Sequence, residues 1–292
     1  MANFDLSALA LKSVCPNNEI LCDNVGLPSV MVRIPKKTYA DLGIGTSTAT
    51  HPAFIINGTE VDEIYIGKYQ SCVQNGRAYS LPGVGPATGS GIDLDGSIAK
   101  CSAKGDGWHL MTLAEHALVL HMCEQAGYIP IGNNNFGKHS SETIYTGIPF
   151  DFESDGRTRK ILTGTGPLTY YTDNDRSGIS DLCGNVWEWA GGVRSVYGEL
   201  QVLVNNNAAD ADNPQTAAAT TWKAINASDG TFITPNGSGT TSGSVKMDWV
   251  SSKLTYAATI TDSARGSHNC TFPNVVAGSA IGTAATLLLQ AL

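Results

Sequence analysis

An α+β fold with short strands, few helices and long loops is what this sequence predicts. Three observations lead there. Of 292 residues, 32 are Gly, only 15% are charged and 42% are hydrophobic; that composition favours many turns around short strands and still supplies a core. Thr112-Leu-Ala-Glu115 is a capping box, in which a hydroxyl and a carboxylate satisfy the first orphan N–H groups of a helix, and Gly127 stands where its C-terminal cap belongs. After a Gly184-Asn185 turn the chain alternates Val186, Trp187, Glu188, Trp189. On a strand that alternation puts both indoles on one face and Glu188 on the other. It predicts two tryptophans buried in a deep core, opposite a carboxylate that needs a partner or a metal.

The elements follow in order. Residues 3–14 read as a short amphipathic helix with Phe4, Leu6, Leu9 and Val14 on its apolar side, ended by Pro16, Asn17 and Asn18. Residues 29–35 are a strand and 36–52 a Lys-, Gly- and Thr-rich loop. Residues 53–56 and 61–69 are two strands around Asn57-Gly58, a type I′ hairpin signal. Residues 80–107 are an irregular excursion. The helix covers 113–126, with Leu113, Ala117 and Leu120 on its apolar side, and 130–177 is dominated by loops. Val193-Arg194 follows the alternating segment, and residues 198–204 are a strand or hairpin arm. Residues 205–245, rich in Ala, Thr, Asn, Gly and Ser, read as a polar insertion of partial order. Residues 247–249 and 254–256 are short strands, and 285–292 begin an apolar helix whose leucines, Leu287, Leu288, Leu289 and Leu292, must be buried somewhere.

Bulk chemistry narrows the function classes. A net charge of -8, with 18 Lys+Arg and no basic run, is a poor match to nucleic acid or an anionic membrane. No apolar run approaches the roughly 20 residues that span a bilayer, and the N-terminus lacks a signal-peptide pattern, so synthesis in a cytoplasm is expected. Seven cysteines, an odd number without a C-x-x-C, argue against a disulfide framework or a zinc knuckle. They read mainly as reduced, small apolar residues; Cys15 and Cys22 are the one pair close in sequence.

The string Gly178-Ile-Ser-Asp-Leu-Cys-Gly-Asn-Val-Trp-Glu-Trp189 resembles the Gly-Asn-Val-Trp-Glu-Trp signature of the formylglycine-generating-enzyme branch of the C-type lectin fold. Met31-Val-Arg-Ile-Pro35, the stretch from His51-Pro to Glu63-Ile-Tyr-Ile-Gly-Lys-Tyr69, and Gly107-Trp-His-Leu-Met-Thr-Leu-Ala-Glu-His-Ala117 are similar to that family's opening strand, second strand and helix start. All fall in family order over about residues 30–200. The resemblance implies a C-type lectin fold over 29–292, behind an N-terminal helical segment 1–28. It makes Gly184, Asn185, Trp187, Glu188 and Trp189 the structural signature, and it offers Asn185 and Glu188 as calcium candidates. The alternative for Glu188 is a carboxylate satisfying nearby backbone N–H groups.

Catalysis is not expected. The branch's copper enzymes hold Cu(I) on two C-terminal cysteines, soft ligands suited to it, whereas Arg265-Gly-Ser-His-Asn-Cys270 offers one. The iron-dependent sulfoxide-forming relatives need a histidine set. His116 and His121, five apart on a helix, diverge by about 140° and cannot make an i, i+4 metal pair. Asp93-Leu-Asp-Gly96 and Asp173-Asn-Asp-Arg-Ser-Gly178 lack the closing Glu of an EF-hand, with Lys104 and Gly184 in its place. A more specific resemblance, to the variable proteins of diversity-generating retroelements, runs through the same block, Gly192-Val-Arg194, Gly198-Glu-Leu-Gln-Val202, Cys270-Thr-Phe272 and the Leu-Leu-x-Ala-Leu helix. It implies a non-catalytic, phage virion or tail-associated protein that binds a host-surface receptor or other protein. The diversified segment that follows the helix in that group would lie beyond Leu292. A homo-oligomer, a trimer above all, or other virion proteins are the expected partners. An oxidoreductase of the formylglycine-generating or iron sulfoxide-synthase type and a structural virion protein are the alternatives.

Overall fold

The computed structural model describes residues 4–261 and 276–290. It is a mixed α+β protein with four helices and mostly short strands among those residues. The chain forms two compact units, Met1–Met111 with Leu118–Ala190, and Thr112–Ala117 with Gly191–Leu292.

In the first unit, helix α1 (Phe4–Val14) leads into an antiparallel sheet of β1 (Asn18–Cys22), β2 (Pro28–Pro35) and β5 (Glu63–Gly67), in the order β1-β2-β5. Met31, Val32 and Ile34 of β2 and Ile64 and Ile66 of β5 are buried, the fate of β-branched and long apolar side chains on a half-covered sheet. Strand β1 lies inside the segment expected to be helical, and its pairing with β2 carries the sheet across the boundary expected at residue 28. The α1 helix is present, but Leu6, Leu9 and Val14 are exposed. Ala8 and Leu11 are its half-buried side chains, and Lys12 pairs with Glu19 at 2.7 Å. Phe4's side chain lies outside the described residues.

Hairpins fill out this unit. Strands β3 (Ile55–Ile56) and β4 (Thr59–Glu60) pair across Asn57 and Gly58, whose φ angles of 50° and 75° make the expected type I′ turn. A second such hairpin, β6 (Cys72–Gln74) with β7 (Arg77–Tyr79), turns at Asn75-Gly76. The excursion expected over 80–107 contains a helix, α2 (Leu94–Ser102), because the Asp93 carboxylate accepts from the Gly96 N–H and caps it; the calcium-loop look of Asp93–Gly96 is a helix start. Strands β8 (Pro149–Phe152) and β9 (Thr158–Ile161) form the last hairpin of the unit.

Helix α3 (Leu113–Gln125) belongs to both units by sequence. Its capping box is made in full: the Thr112 N–H donates to Glu115 Oε2 at 2.9 Å and the Glu115 N–H to Thr112 Oγ1 at 3.2 Å. Asn206 extends it, accepting from Thr112 Oγ1 at 2.6 Å and donating to Glu115 Oε1 at 2.9 Å. Gly127, φ 68°, closes the other end. Ala117 is buried as expected, together with Leu118, Val119 and Cys123, whereas Leu120 is exposed, so the inward side only partly matches the one expected.

The second unit is a seven-stranded sheet, ordered β13-β12-β11-β14-β15-β16 with β10 also on β11. These strands are β10 (Val193–Val196), β11 (Glu199–Val202), β12 (Lys223–Ile225), β13 (Phe232–Ile233), β14 (Lys246–Val250), β15 (Lys253–Ala257) and β16 (Val276–Ala277). Residues 205–245, expected to be partly ordered, supply β12 and β13 and bury Trp222, Ala224 and Ile225. Helix α4 (Thr283–Gln290) buries Ala285 and Leu289 against Val202, Ile225, Ala227, Val245 and Ile281, so the chain's own apolar cluster covers Leu289. Leu287's side chain and Leu292 lie outside the described residues. In the same unit Glu199, fully buried, accepts from Ser244 Oγ, Gln201 Nε2 and the Thr241 N–H at 2.7, 2.7 and 2.9 Å. Those hydrogen bonds outweigh burial and hold its carboxyl below the usual range.

Candidate functional site

The signature segment is not a strand. Gly184 and Asn185 both take positive φ, 79° and 65°, which ends extended backbone at the point where the alternation begins. A Cβ on Gly184 would stand 2.5 Å from the Asn133 carbonyl oxygen, so this turn requires glycine. Residues 187–190 carry no sheet pairing, and the expectation of two buried tryptophans is overturned. Trp187 is 101% exposed and Trp189 47%.

What the segment has instead is a rigid anchor. The Asn185 N–H donates to Asn133 O at 2.8 Å. Asn185 Oδ1 accepts from the Ile161 N–H at 2.9 Å and from Asn133 Nδ2 at 3.3 Å, while its Nδ2 donates to Gln70 Oε1 at 3.0 Å and Ile161 O at 3.2 Å. Gln70, buried, donates onward to Asp181 O at 3.0 Å and Gly184 O at 3.2 Å. Four side-chain contacts on one asparagine leave it no free hydrogen-bonding capacity. Asn185 is therefore the peg that fixes the turn, and its side chain does not fit a calcium ion, since both oxygen lone pairs are already engaged.

Beyond the peg, the loop presents its side chains outward. Trp189 is the more constrained of the two indoles, its N–H donating to Ile92 O at 2.7 Å. Glu188 is exposed as a residue, yet its carboxyl lies beside the Gln70 amide. Burial pushes it up to about 7, the Gln70 hydrogen bond opposes that rise, and the Asp181 charge adds to it; contact with water moderates the result. Asp181 itself is buried at φ 62°. Its Oδ2 accepts from the Gly164 N–H at 2.7 Å and Ser180 Oγ at 2.8 Å, its Oδ1 has no partner, and burial pushes its carboxyl up as well. Burial first and the Asp181 charge second thus disfavour a charge on Glu188. Among the described residues no group of three or more His, Cys, Asp and Glu is arranged to hold a metal.

Nothing in the sequence marks Gln70, Asn133 and Asp181 as partners of this turn. The one available signal was the positive-φ tendency of the Asn-rich run 133–135 and of Gly184-Asn185, which marks turns without saying that they meet. The six described cysteines are free thiols, and burial pushes those of Cys72, Cys101, Cys123 and Cys183 up. His268 and Cys270 lie outside the described residues. No helix among the described residues is long and apolar enough to cross a membrane. No protein-family model matches the chain, and no curated protein matches it.

Proposed function

We propose that this chain is a non-catalytic recognition protein with a C-type lectin scaffold, carried on a phage virion or tail. In this reading it meets a host-surface receptor or other protein ligand through the 187–189 loop. One observation carries the reading: a wholly exposed Trp187 and a half-exposed Trp189 extend from a turn pegged by every polar atom of the Asn185 side chain. Aromatic side chains held on a fixed backbone are the usual anchors of binding surfaces, because they bring large contact area at little entropic cost. A protein that merely fills its core with tryptophan does not leave both in water.

The copper form of the oxidoreductase alternative asks for thiolates, and burial pushes the Cys72, Cys101 and Cys123 thiols up, away from the thiolate form. The structural-virion alternative gains from exposed Ile144, Tyr145, Ile148, Phe150 and Phe152. We assign these residues to contacts with further copies of the chain or with a neighbouring virion protein, since an exposed apolar surface of this kind marks an interaction site.

The deciding measurement is binding of fluorescently labelled protein to a panel of bacterial cells, beside the Trp187→Ala/Trp189→Ala double variant. The expected result is saturable binding to at least one strain, reduced by tenfold or more in the double variant, with melting temperature unchanged. Saturable binding that the double variant retains would refute the assignment of the loop. Binding to no strain, together with incorporation throughout a virion shell, would favour the structural reading.

A further inference from the structure

Two histidines of the first unit are buried side by side. His51 is fully buried at the start of a 3-10 turn (Pro52–Phe54), and His121 is buried on α3. Their ring centres are 6.2 Å apart with planes at 70°. The Nε2 atoms of both are buried and have no hydrogen-bond partner. An unsatisfied buried polar atom is costly, and two of them on rings whose centres are 6.2 Å apart are close enough to share one small occupant.

The other ring nitrogens define that occupant. His51 Nδ1 accepts from the Ala53 N–H at 3.2 Å, capping the 3-10 turn. In the neutral ring its proton is therefore on Nε2, because the hydrogen bond at one nitrogen sets the state of the other. His121 Nδ1 lies 3.1 Å from Glu124 Oε2, a carboxylate, so Nδ1 donates and Nε2 keeps a lone pair. The two neighbouring rings thus carry one donor and one acceptor, neither with a partner. A metal ion would need lone pairs on both Nε2 atoms, which would move the His51 proton to Nδ1, against the Ala53 N–H. A water molecule suits the pair as it stands, accepting from His51 and donating to His121, and water is the normal occupant of small polar gaps.

We propose that one water molecule is bound between Nε2 of His51 and Nε2 of His121, and that this hydrated pair is an acid-sensitive latch between the 51–54 turn and helix α3. Acid acts on it through the cap. The free site for a proton on His51 is Nδ1, and a proton there removes the acceptor of the Ala53 N–H and sets two donors face to face. Burial first and the neighbouring His121 second push the His51 ring down to about 4, in the same direction. The charged or titratable groups around the pair are Tyr39, whose ring centre is 5.8 Å from that of His51, Glu124 on His121, and Lys36, Lys37, Asp41 and Glu60 on adjoining segments. Asp41 is tied to Thr38, and Glu60 to Lys36. Because the folded ring resists protonation, stability is full above about 6.5 and is lost progressively as pH falls toward about 4.

Long-range proton–nitrogen NMR on the whole chain tests this directly. Near neutral pH, His51 should be protonated on Nε2 and His121 on Nδ1. The His51 Nε2 proton should show cross-relaxation with a long-lived water, and His51 should stay neutral down to about pH 4. The His51→Asn variant keeps an oxygen to cap Ala53 and removes the titration, so its melting temperature should fall less than wild type over that range. A His51 ring protonated on Nδ1, or charged near pH 6, overturns the latch. An unchanged pH dependence in His51→Asn does the same. Zinc or Cu(I) shifting both Nε2 signals would replace the water with a metal. If His51→Asn fails to fold, the wild-type titration alone decides.

Discussion

Trp222 and Trp187 occupy opposite extremes of this molecule, 2% and 101% exposed, although both lie in stretches rich in small and polar residues. Trp222 directly precedes β12, a strand paired on both sides. It packs with Leu203 and Ala208, its N–H donates to Thr216 O at 3.0 Å, and the Arg194 guanidinium lies 4.5 Å from its ring centre. Trp187 follows a positive-φ asparagine and has no neighbouring strand. A tryptophan is buried when paired strands carry it over a second layer of side chains. Alternation in a single segment, however regular, does not provide that layer.

Truncating each indole should separate the two tryptophans most clearly. Trp222→Ala should destabilise by about 3–5 kcal/mol, as for large aromatics removed from cores, whereas Trp187→Ala should change stability by no more than about 0.5 kcal/mol. Chemical denaturation of the two variants checks this, and equal losses would mean that Trp187 is covered in solution. A smaller effect sharpens the role of the peg. Asn185→Ala strips partners from Ile161, Asn133 and Gln70 and leaves alanine at positive φ, so a loss of roughly 2–3 kcal/mol is expected. Asn185→Gly, which relieves only the backbone part, should recover a minority of it.

The smallest effect concerns Glu188. Its carboxyl is raised in the fold, so its contribution to stability is full below about 4.5 and is lost as pH rises toward about 7. Glu188→Gln should flatten this part of the stability–pH curve. A curve identical to wild type would show that water, not protein, surrounds the carboxyl.

Local chemistry explains what was legible in the sequence. Thr112, Glu115 and Gly127 announce a helix through bonds within a few residues, and Asn57-Gly58 announces a hairpin in the same way; both are present. Helix α2 escaped notice because its cap, Asp93, sits among glycines that read as loop. The strands of 205–245 escaped because β12 gains its partner, β11, from distant residues: Gln201 opposite Ala224. The site failed for the same reason. Nothing near Asn185 in sequence reveals that Gln70, Asn133 and Ile161 will close around it, and those three contacts are what turn the backbone away from a strand.

Four of the hairpins share one device with a kinetic consequence. Asn57-Gly58, Asn75-Gly76, Tyr197-Gly198 and Ser251-Ser252 each place two successive residues at positive φ. Each joins strands that are immediate neighbours in sequence, so each pair can zip within about 1–10 μs, independently of the rest. The slow step is then the search that brings β11 beside β12 and Asn185 to Gln70. The exposed tryptophan loop, whose peg is made only of such distant contacts, is set among the last features of the chain to take shape.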